Sequence, residues 1–174
     1  GLDPQKDLSI DQSIDFGATA AAFTGDNSAD FTVEFEPSAT ALEKQGAGYV
    51  VASLGVDSGY VPYTSYSAKT SYMEKNPDIM QKFTNALQKG MDYVQKHTPE
   101  EIARVIEPQF PETDLDTITA IVKRYYDQDT WKKNLVFGQE GFELLQDILE
   151  DAGELKERTP YEELVNTEFA QNAS

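Results

Sequence analysis

The sequence predicts an α/β protein, with a mainly parallel sheet in its first third and a helix-rich C-terminal part. Up to about residue 55, short apolar stretches alternate with short helical stretches, a pattern typical of βαβ units. A stretch with glycine at both ends, 55–59, interrupts the pattern. Beyond it, helices with clear start signals and apolar stripes dominate.

The first third is predicted to contain three strands and two helices before the interruption, and a fourth strand after it. The strands are 8–14, 30–35, 49–54 and 61–67, and the helices are 18–23 and 37–45. Gly46 is placed as a C-terminal helix cap. The stretch 24–30 is predicted to be a turn, because it lacks the closing Glu of a calcium loop.

The helices of the C-terminal part are predicted from caps and stripes. Asn76, Thr98 and Thr159 each precede a Pro suited to a first helical position, and the last two have Glu three residues later, as in a capping box. Gly153 is a second C-terminal cap. The stripes predicted to form the core are Ile79, Phe83, Leu87 and Val94; Ile102, Val105 and Ile106; Leu115, Ile118, Val122 and Tyr125; and Phe142, Leu145 and Leu149.

Composition argues against several classes of protein. The 31 Asp and Glu against 14 Lys and Arg give a net charge of -17, and the short basic clusters are flanked by acids, so nucleic acid is not an expected partner. The absence of Cys excludes a disulfide, a thiolate nucleophile and a cysteine zinc site. No apolar run approaches the roughly 20 residues that span a bilayer. We expect no metal site and no cofactor.

Catalysis by a nucleophile and a base is not expected either. The only histidine is His97, beside Thr98 at a predicted helix end, where an imidazole suits the terminal carbonyls and the helix dipole. We therefore expect no catalytic residues and predict that the protein is not an enzyme.

The first candidate for ligand binding is Glu36, with the preceding Phe35. A strand is predicted to end here and a helix to begin at Pro37, which leaves Glu36 in a cap position usually taken by Ser, Thr, Asp or Asn. Ligands of open α/β sheets bind outside the carboxyl ends of strands. The alternative is a surface carboxylate near a helix dipole.

The second candidate is the aromatic run after the interruption. It comprises Tyr60, Tyr63 and Tyr66, with Thr64 between them. Tyrosines combine stacking area with a polar tip, as a mostly apolar pocket with a few orienting groups requires. The alternative is ordinary packing of a strand.

Several phrases of the sequence, taken in order, resemble one family. The phrases are DFTVEFEP (30–37), ALEKQG (41–46), GYVVASLG (48–55), VPYT (61–64), NPD (76–78), FTNA (83–86), QFP (109–111), DTW (129–131) and PY (160–161). Together they resemble the ABC-transporter extracytoplasmic solute-binding proteins of the thiamine-pyrimidine-synthase-like branch, which are related to sulfonate, taurine and nitrate binders.

The resemblance implies a type II periplasmic-binding-protein-like fold in which two α/β lobes close on a ligand. Residues 1–55 would be part of lobe two, 56–61 the hinge crossing, and 62–174 the return to lobe one and the C-terminal helices. The chain would then be a C-terminal half, which fits its loop-like start at Gly1.

The resemblance also implies a function. The chain would belong to the substrate-binding component of an ABC importer, with a small heteroaromatic solute such as a thiamine-pyrimidine precursor as ligand and an ABC permease as partner. Glu36 would hydrogen-bond the amino-pyrimidine edge. We expect an extracellular or periplasmic location, with membrane contact only through a lipoprotein anchor or the permease. The alternatives are an iron-dependent pyrimidine-synthase-like enzyme of the same fold and a binder of sulfonate- or nitrate-type anions.

Overall fold

The structure is a computed structural model that describes residues 1–4, 6–25 and 28–174. Over these residues the regular structure is helical. The α-helices are α1 (Thr19–Gly25), α2 (Ser38–Lys44), α3 (Leu54–Asp57), α4 (Thr70–Lys75), α5 (Pro77–Lys96), α6 (Pro99–Ile106), α7 (Leu115–Asp127), α8 (Gln139–Asp151), α9 (Tyr161–Leu164) and α10 (Glu168–Gln171). Two single 3₁₀ turns, Phe16–Ala18 and Glu107–Gln109, adjoin α1 and α6.

The predicted α/β class, with a type II periplasmic-binding-protein-like parallel-sheet lobe, is wrong for this structure. No β-strand occurs in the described residues, and the segments predicted as strands are irregular or extended, with 54 already the start of α3. Alternating apolar residues indicate only that one face of an extended segment would be buried, whereas a strand also needs a neighbour for its N–H and C=O groups. The described chain supplies no such neighbour. The turn predicted at 24–30 includes residues 26–27, which lie outside the described residues.

The core is formed by α6 and α7, which pack side by side. Ile102 and Ala103 of α6 meet Ile118 and Val122 of α7, and all four are buried. Partly buried neighbours complete the cluster: Tyr93, Val94, Ile106, Leu115 and Trp131. The predicted stripes on α6 and α7 are thus largely confirmed. Val105 is an exception, because it faces solvent.

The stripe predicted on α5 is only partly correct. Val94 packs against the core, but Ile79 and Phe83 are exposed. On α8 the prediction is better, since Phe142 is buried and its ring packs edge-on against Tyr161 at 5.7 Å. Within the described residues, none of the helices is both long and apolar enough to cross a bilayer.

Local start and stop signals are reproduced well in the C-terminal part. Thr98 forms the predicted capping box with Glu101, and α5 and α6 each begin at a proline. Gly46 and Gly153 follow helix ends with φ of 70° and 76°, which L-residues with a Cβ adopt rarely. The predicted Thr159 cap is wrong, because α9 begins at Tyr161 with Pro160 in the N-cap position, and the Thr159 N–H donates to Gln146.

Helix α2 is held against α7 by polar contacts. Lys44 at the end of α2 donates to Thr117 and lies 3.3 Å from an Asp114 oxygen at the start of α7. A second set of contacts, at the other end of both helices, includes Glu36. The division into 1–55, 56–61 and 62–174 stays a prediction, since no contact described here tests it.

Candidate functional site

Glu36 lies just before α2, and its carboxylate caps that helix. The helix begins one residue later than predicted, at Ser38, with Pro37 in the N-cap position. The longer Glu side chain reaches past Pro37, and its Oε2 accepts the Thr40 N–H at 3.0 Å. The Glu36 side chain is only 5% exposed. Glu36 therefore accepts a hydrogen bond from a free N–H group in the first turn of α2. It does so from the position before the N-cap residue, whereas the sequence predicted Glu36 in the N-cap position itself.

The other Glu36 oxygen is bound by Arg124 of α7. One guanidinium nitrogen donates to Glu36 Oε1, and the other donates to Glu43 Oε2 at 2.6 Å. The Arg124 nitrogen that contacts Glu36 also lies 3.3 Å from Thr40 Oγ1. Arg124 thereby joins both ends of α2 to α7. We call Glu36, Thr40, Glu43 and Arg124 the buried ion cluster.

The protonation equilibria of the cluster reflect these bonds. Burial acts to lower the pKa of Arg124, but the hydrogen bond to Glu43 and the charge of Glu36 outweigh it and raise the pKa above its usual value. The Val50 N–H, which donates to Glu43 Oε1 at 2.9 Å, lowers the pKa of the Glu43 carboxyl, and Arg124 lowers it further. Both effects keep Arg124 and Glu43 charged at neutral pH.

Tyr125, next to Arg124 on α7, links the buried ion cluster to the aromatic residues. Burial raises the pKa of its phenol, and the charge of Glu36 acts in the same direction, whereas a hydrogen bond with the Glu36 backbone acts against it. The charge of Tyr63 also acts to raise this pKa. The Tyr125 ring packs edge-on to Trp131 at 6.2 Å between centroids, and so connects the site to the core.

Three aromatic rings form an exposed row beside Glu36. The Phe35 ring lies between Phe16, edge-on at 4.9 Å, and Tyr63, tilted by 30° at 5.2 Å. Phe16 and Tyr63 are largely open to solvent, at 67% and 75%, whereas Phe35 between them is 39% exposed. We call Phe16, Phe35 and Tyr63 the aromatic row. It gives the surface above the buried ion cluster an area on which a flat, apolar molecule can stack.

The structure brings together three of the six residues predicted from sequence: Phe35, Glu36 and Tyr63. Thr64 follows Tyr63 and is exposed. Tyr60 and Tyr66 have other neighbours. The Tyr66 ring packs edge-on to Phe83 of α5 at 5.1 Å. As ligand contacts, all six stay predictions.

Tyr60 belongs to a separate polar contact. Its hydroxyl donates to Asp129 at 2.7 Å, and this bond raises the pKa of the phenol. The ammonium of Lys132 lies 4.6 Å from the centre of the Tyr60 ring, within the range of a cation–π interaction. These contacts fix Tyr60 to the loop after α7.

His97 is the C-cap residue of α5, at the helix end where the sequence placed it. Its Nδ1 is 2.8 Å from the Tyr93 carbonyl, and the two rings are stacked at 3.6 Å. This geometry supports the role at a helix terminus. Among the described residues, no group of His, Asp and Glu is arranged to hold a metal ion.

Sequence reasoning missed Arg124, Thr40 and Tyr125 as parts of this site. Arg124 lies in one of the short basic clusters that are flanked by acids, and its partner Glu36 is 88 residues away, too far for any local pattern to reveal. One signal was present. Arg124 directly precedes Tyr125, the last residue of the predicted apolar stripe, so its stem flanks the buried face of α7.

The surface also has two shallow depressions away from this site. One, of about 180 Å³, lies between α1 and α2 and is lined mainly by small side chains. The other, of about 290 Å³, lies between α8 and the segment 158–162. Neither is lined by the buried ion cluster or the aromatic row.

The chain is similar to a binding protein. It is 39% identical over 173 residues to the Bacillus subtilis (strain 168) protein named "Putative binding protein YtlA", in an alignment that covers 99% of this chain and 52% of that relative. The chain therefore spans about half the length of the relative. No family model matches the chain, and no solved structure matches it. The similarity supports a binding role in general terms.

Proposed function

We propose that this chain is part of a solute-binding protein that captures a small heteroaromatic solute and delivers it to an ABC importer. A thiamine-pyrimidine precursor or a similar heterocycle is the proposed ligand class. The protein would act outside the cytoplasm, free, lipid-anchored or periplasmic, and would not be an enzyme. The similarity to a binding protein supports the general role.

The observation that carries the proposal is the exposed aromatic row beside the buried ion cluster. Tyr63, 75% exposed at the end of the row and supported by Phe35, offers a ring face to a planar solute, and aromatic pairs contribute about 0.5–1.5 kcal/mol each beyond the area they bury. Glu36 accepts one hydrogen bond at each oxygen, although a carboxylate has roughly four acceptor positions. We infer that a ring stacked on Tyr63 uses one of the remaining acceptor positions of Glu36, whose side chain is 5% exposed.

The charges of the site favour this ligand class over an anion. Arg124 is the cation of the cluster, and two carboxylates already engage it. A sulfonate or nitrate placed here would meet Glu36 and Glu43 without a free cation, and like charges repel. Stacking on one exposed surface gives weak binding, so we expect tight binding only in the full-length protein.

The test is isothermal titration calorimetry on the full-length protein that contains this chain. The titrants are an aminopyrimidine, a riboflavin-like heterocycle, taurine and nitrate. We expect one heterocycle to bind, and Tyr63→Ala and Phe35→Ala each to weaken it about tenfold, the equivalent of about 1.4 kcal/mol. Tyr72→Ala, an exposed tyrosine on α4, is the matched control and should leave the affinity unchanged.

Glu36→Gln separates a ligand contact from a purely structural role. If Glu36 accepts a hydrogen bond from the solute, this nearly isosteric change weakens binding in a protein that remains folded. Three results would contradict the proposal: no heterocycle binds, an anion binds instead, or Tyr63→Ala and Phe35→Ala bind as the unaltered protein does.

A further inference from the structure

The first 66 residues leave an unusual number of large apolar side chains in solvent. Phe31, Val33, Tyr49 and Val51 are all more than 60% exposed, and Leu8 and Ile10 are at least half exposed. We call these six residues the outward apolar face. The six residues come from three segments, 8–10, 31–33 and 49–51, and large apolar side chains left in water in this number favour burial against a partner.

The segment 31–35 shows that the exposure is directional. Its apolar residues Phe31 and Val33 are 77% and 63% exposed, whereas the polar residues that follow each of them, Thr32 and Glu34, are half-buried. Thr32 donates to Glu34 at 2.8 Å, so the polar side is satisfied within the chain. Alternate residues of an extended segment point to opposite sides. Water therefore faces the apolar side, the reverse of the arrangement that burial of apolar area favours.

We propose that the outward apolar face is the docking surface for a further stretch of the same polypeptide. That stretch corresponds to the part of the B. subtilis relative that this chain does not match, which is nearly half of the relative's length. Covalent linkage would give this stretch a high effective concentration at the face. Two copies of the chain, each with a net charge of -17, would instead repel one another.

The chain offers a direct test because it contains no cysteine. Single thiols introduced by Val33→Cys and, as a control, Val105→Cys are labelled with a maleimide and quantified by peptide mass spectrometry. Val105, the control site on α6, is 58% exposed, a fraction similar to the 63% of Val33. It lies outside the outward apolar face. Each variant is made both as residues 1–174 and in the full-length gene product.

In residues 1–174, both thiols should react at similar rates. In the full-length product, the thiol at 33 should react at least tenfold more slowly. The label can reach it only when the covering stretch moves away, and burial of one valine side chain makes that exposed state roughly tenfold or more less populated. The thiol at 105 should be unaffected. No solute is added, so the result does not depend on the proposed ligand.

A second pair of variants measures the same contact through stability. Val33→Asp should lower the melting temperature of the full-length product but not that of residues 1–174, and Val105→Asp should lower neither. Equal labelling at 33 in both forms overturns the proposal. A full-length gene product with no further stretch of polypeptide beyond residues 1–174 also overturns it. If labelling at 33 in residues 1–174 alone slows as the protein concentration rises, the proposal is also overturned, because a second copy of the chain then covers the face.

Discussion

Arg124→Ala should destabilise the chain more than any other single change on the polar surface of α7. The substitution removes two charged hydrogen bonds, to Glu36 and to Glu43. It leaves the Glu36 carboxylate, 5% exposed, with the Thr40 N–H as its remaining partner in this cluster. The polar contacts that remain between the α2 region and α7 are those of Lys44 and the hydrogen bond of Tyr125 with the Glu36 backbone.

The expected loss in the free energy of unfolding is about 2–3 kcal/mol. Removal of one partner of a fully buried ion pair costs about 3–5 kcal/mol. The lower figure applies here because the side chains of Arg124 and Glu43 are each 30% exposed, so that water reaches part of the cluster. With a denaturant dependence of about 2 kcal/mol per molar urea, the midpoint should fall by about 1 M.

The assay is urea unfolding of residues 1–174, followed by circular dichroism at a helix band. Arg104→Ala is the matched control, because it makes the same change at an exposed helical arginine of α6 and should stay within about 0.5 kcal/mol of the unaltered chain. A double-mutant cycle with Glu36→Gln isolates the pair. The double variant should be more stable than Arg124→Ala alone, since it no longer buries an uncompensated charge.

Two results would refute this reasoning. If Arg124→Ala matches Arg104→Ala, the buried ion cluster does not join α2 to α7 in solution. If the effects of Arg124→Ala and Glu36→Gln are additive, the two side chains are not coupled, and the cost of Arg124→Ala has another origin.

Three further changes test the core, a cap and a carboxylate. Ile118→Ala should cost about 2–5 kcal/mol in urea unfolding and Ile118→Val about 0.5–1.5, because Ile118 is buried between α6 and α7; equal small effects would contradict the core assignment. Thr98→Ala should cost about 1 kcal/mol by loss of the capping box while Thr98→Ser stays near the unaltered chain, and a cost shared by both would point away from the hydroxyl. Hydrogen bonds from Thr117 lower the pKa of Asp114 from 3.8 to about 2, so its stabilising contribution should be present above pH 3.8 and be lost as the pH falls toward 2. An NMR titration of the Asp114 carboxyl should have its midpoint near 2, and Thr117→Val should raise it; a midpoint near 3.8 would disprove the bond.

The C-terminal helices were predictable because their signals are local. The Thr98 capping box, the prolines that begin α5 and α6, and the left-handed Gly153 each depend on neighbours a few residues away. Because these interactions join residues only a few positions apart, the local sequence is enough to predict them.

The candidate site was predictable only in part. Phe35, Glu36 and Tyr63 were identified because Glu36 stood at an unusual position before a helix and because tyrosines were concentrated after residue 59. Arg124 was missed, since its partner Glu36 is 88 residues away in the sequence. Only the packing of α2 against α7 brings Arg124 to Glu36.

The sequence alone determined where α5 and α6 begin and most of the residues that α6 and α7 bury, because capping and helical periodicity act over one or two turns. The tertiary structure decided that 8–14, 30–35 and 49–53 are not strands, and that Glu36 caps α2 while pairing with α7. Strand formation and ion pairing both require a partner distant in the chain. An alternating pattern specifies one face of a segment, but the partner that would cover that face is decided by what folds against it.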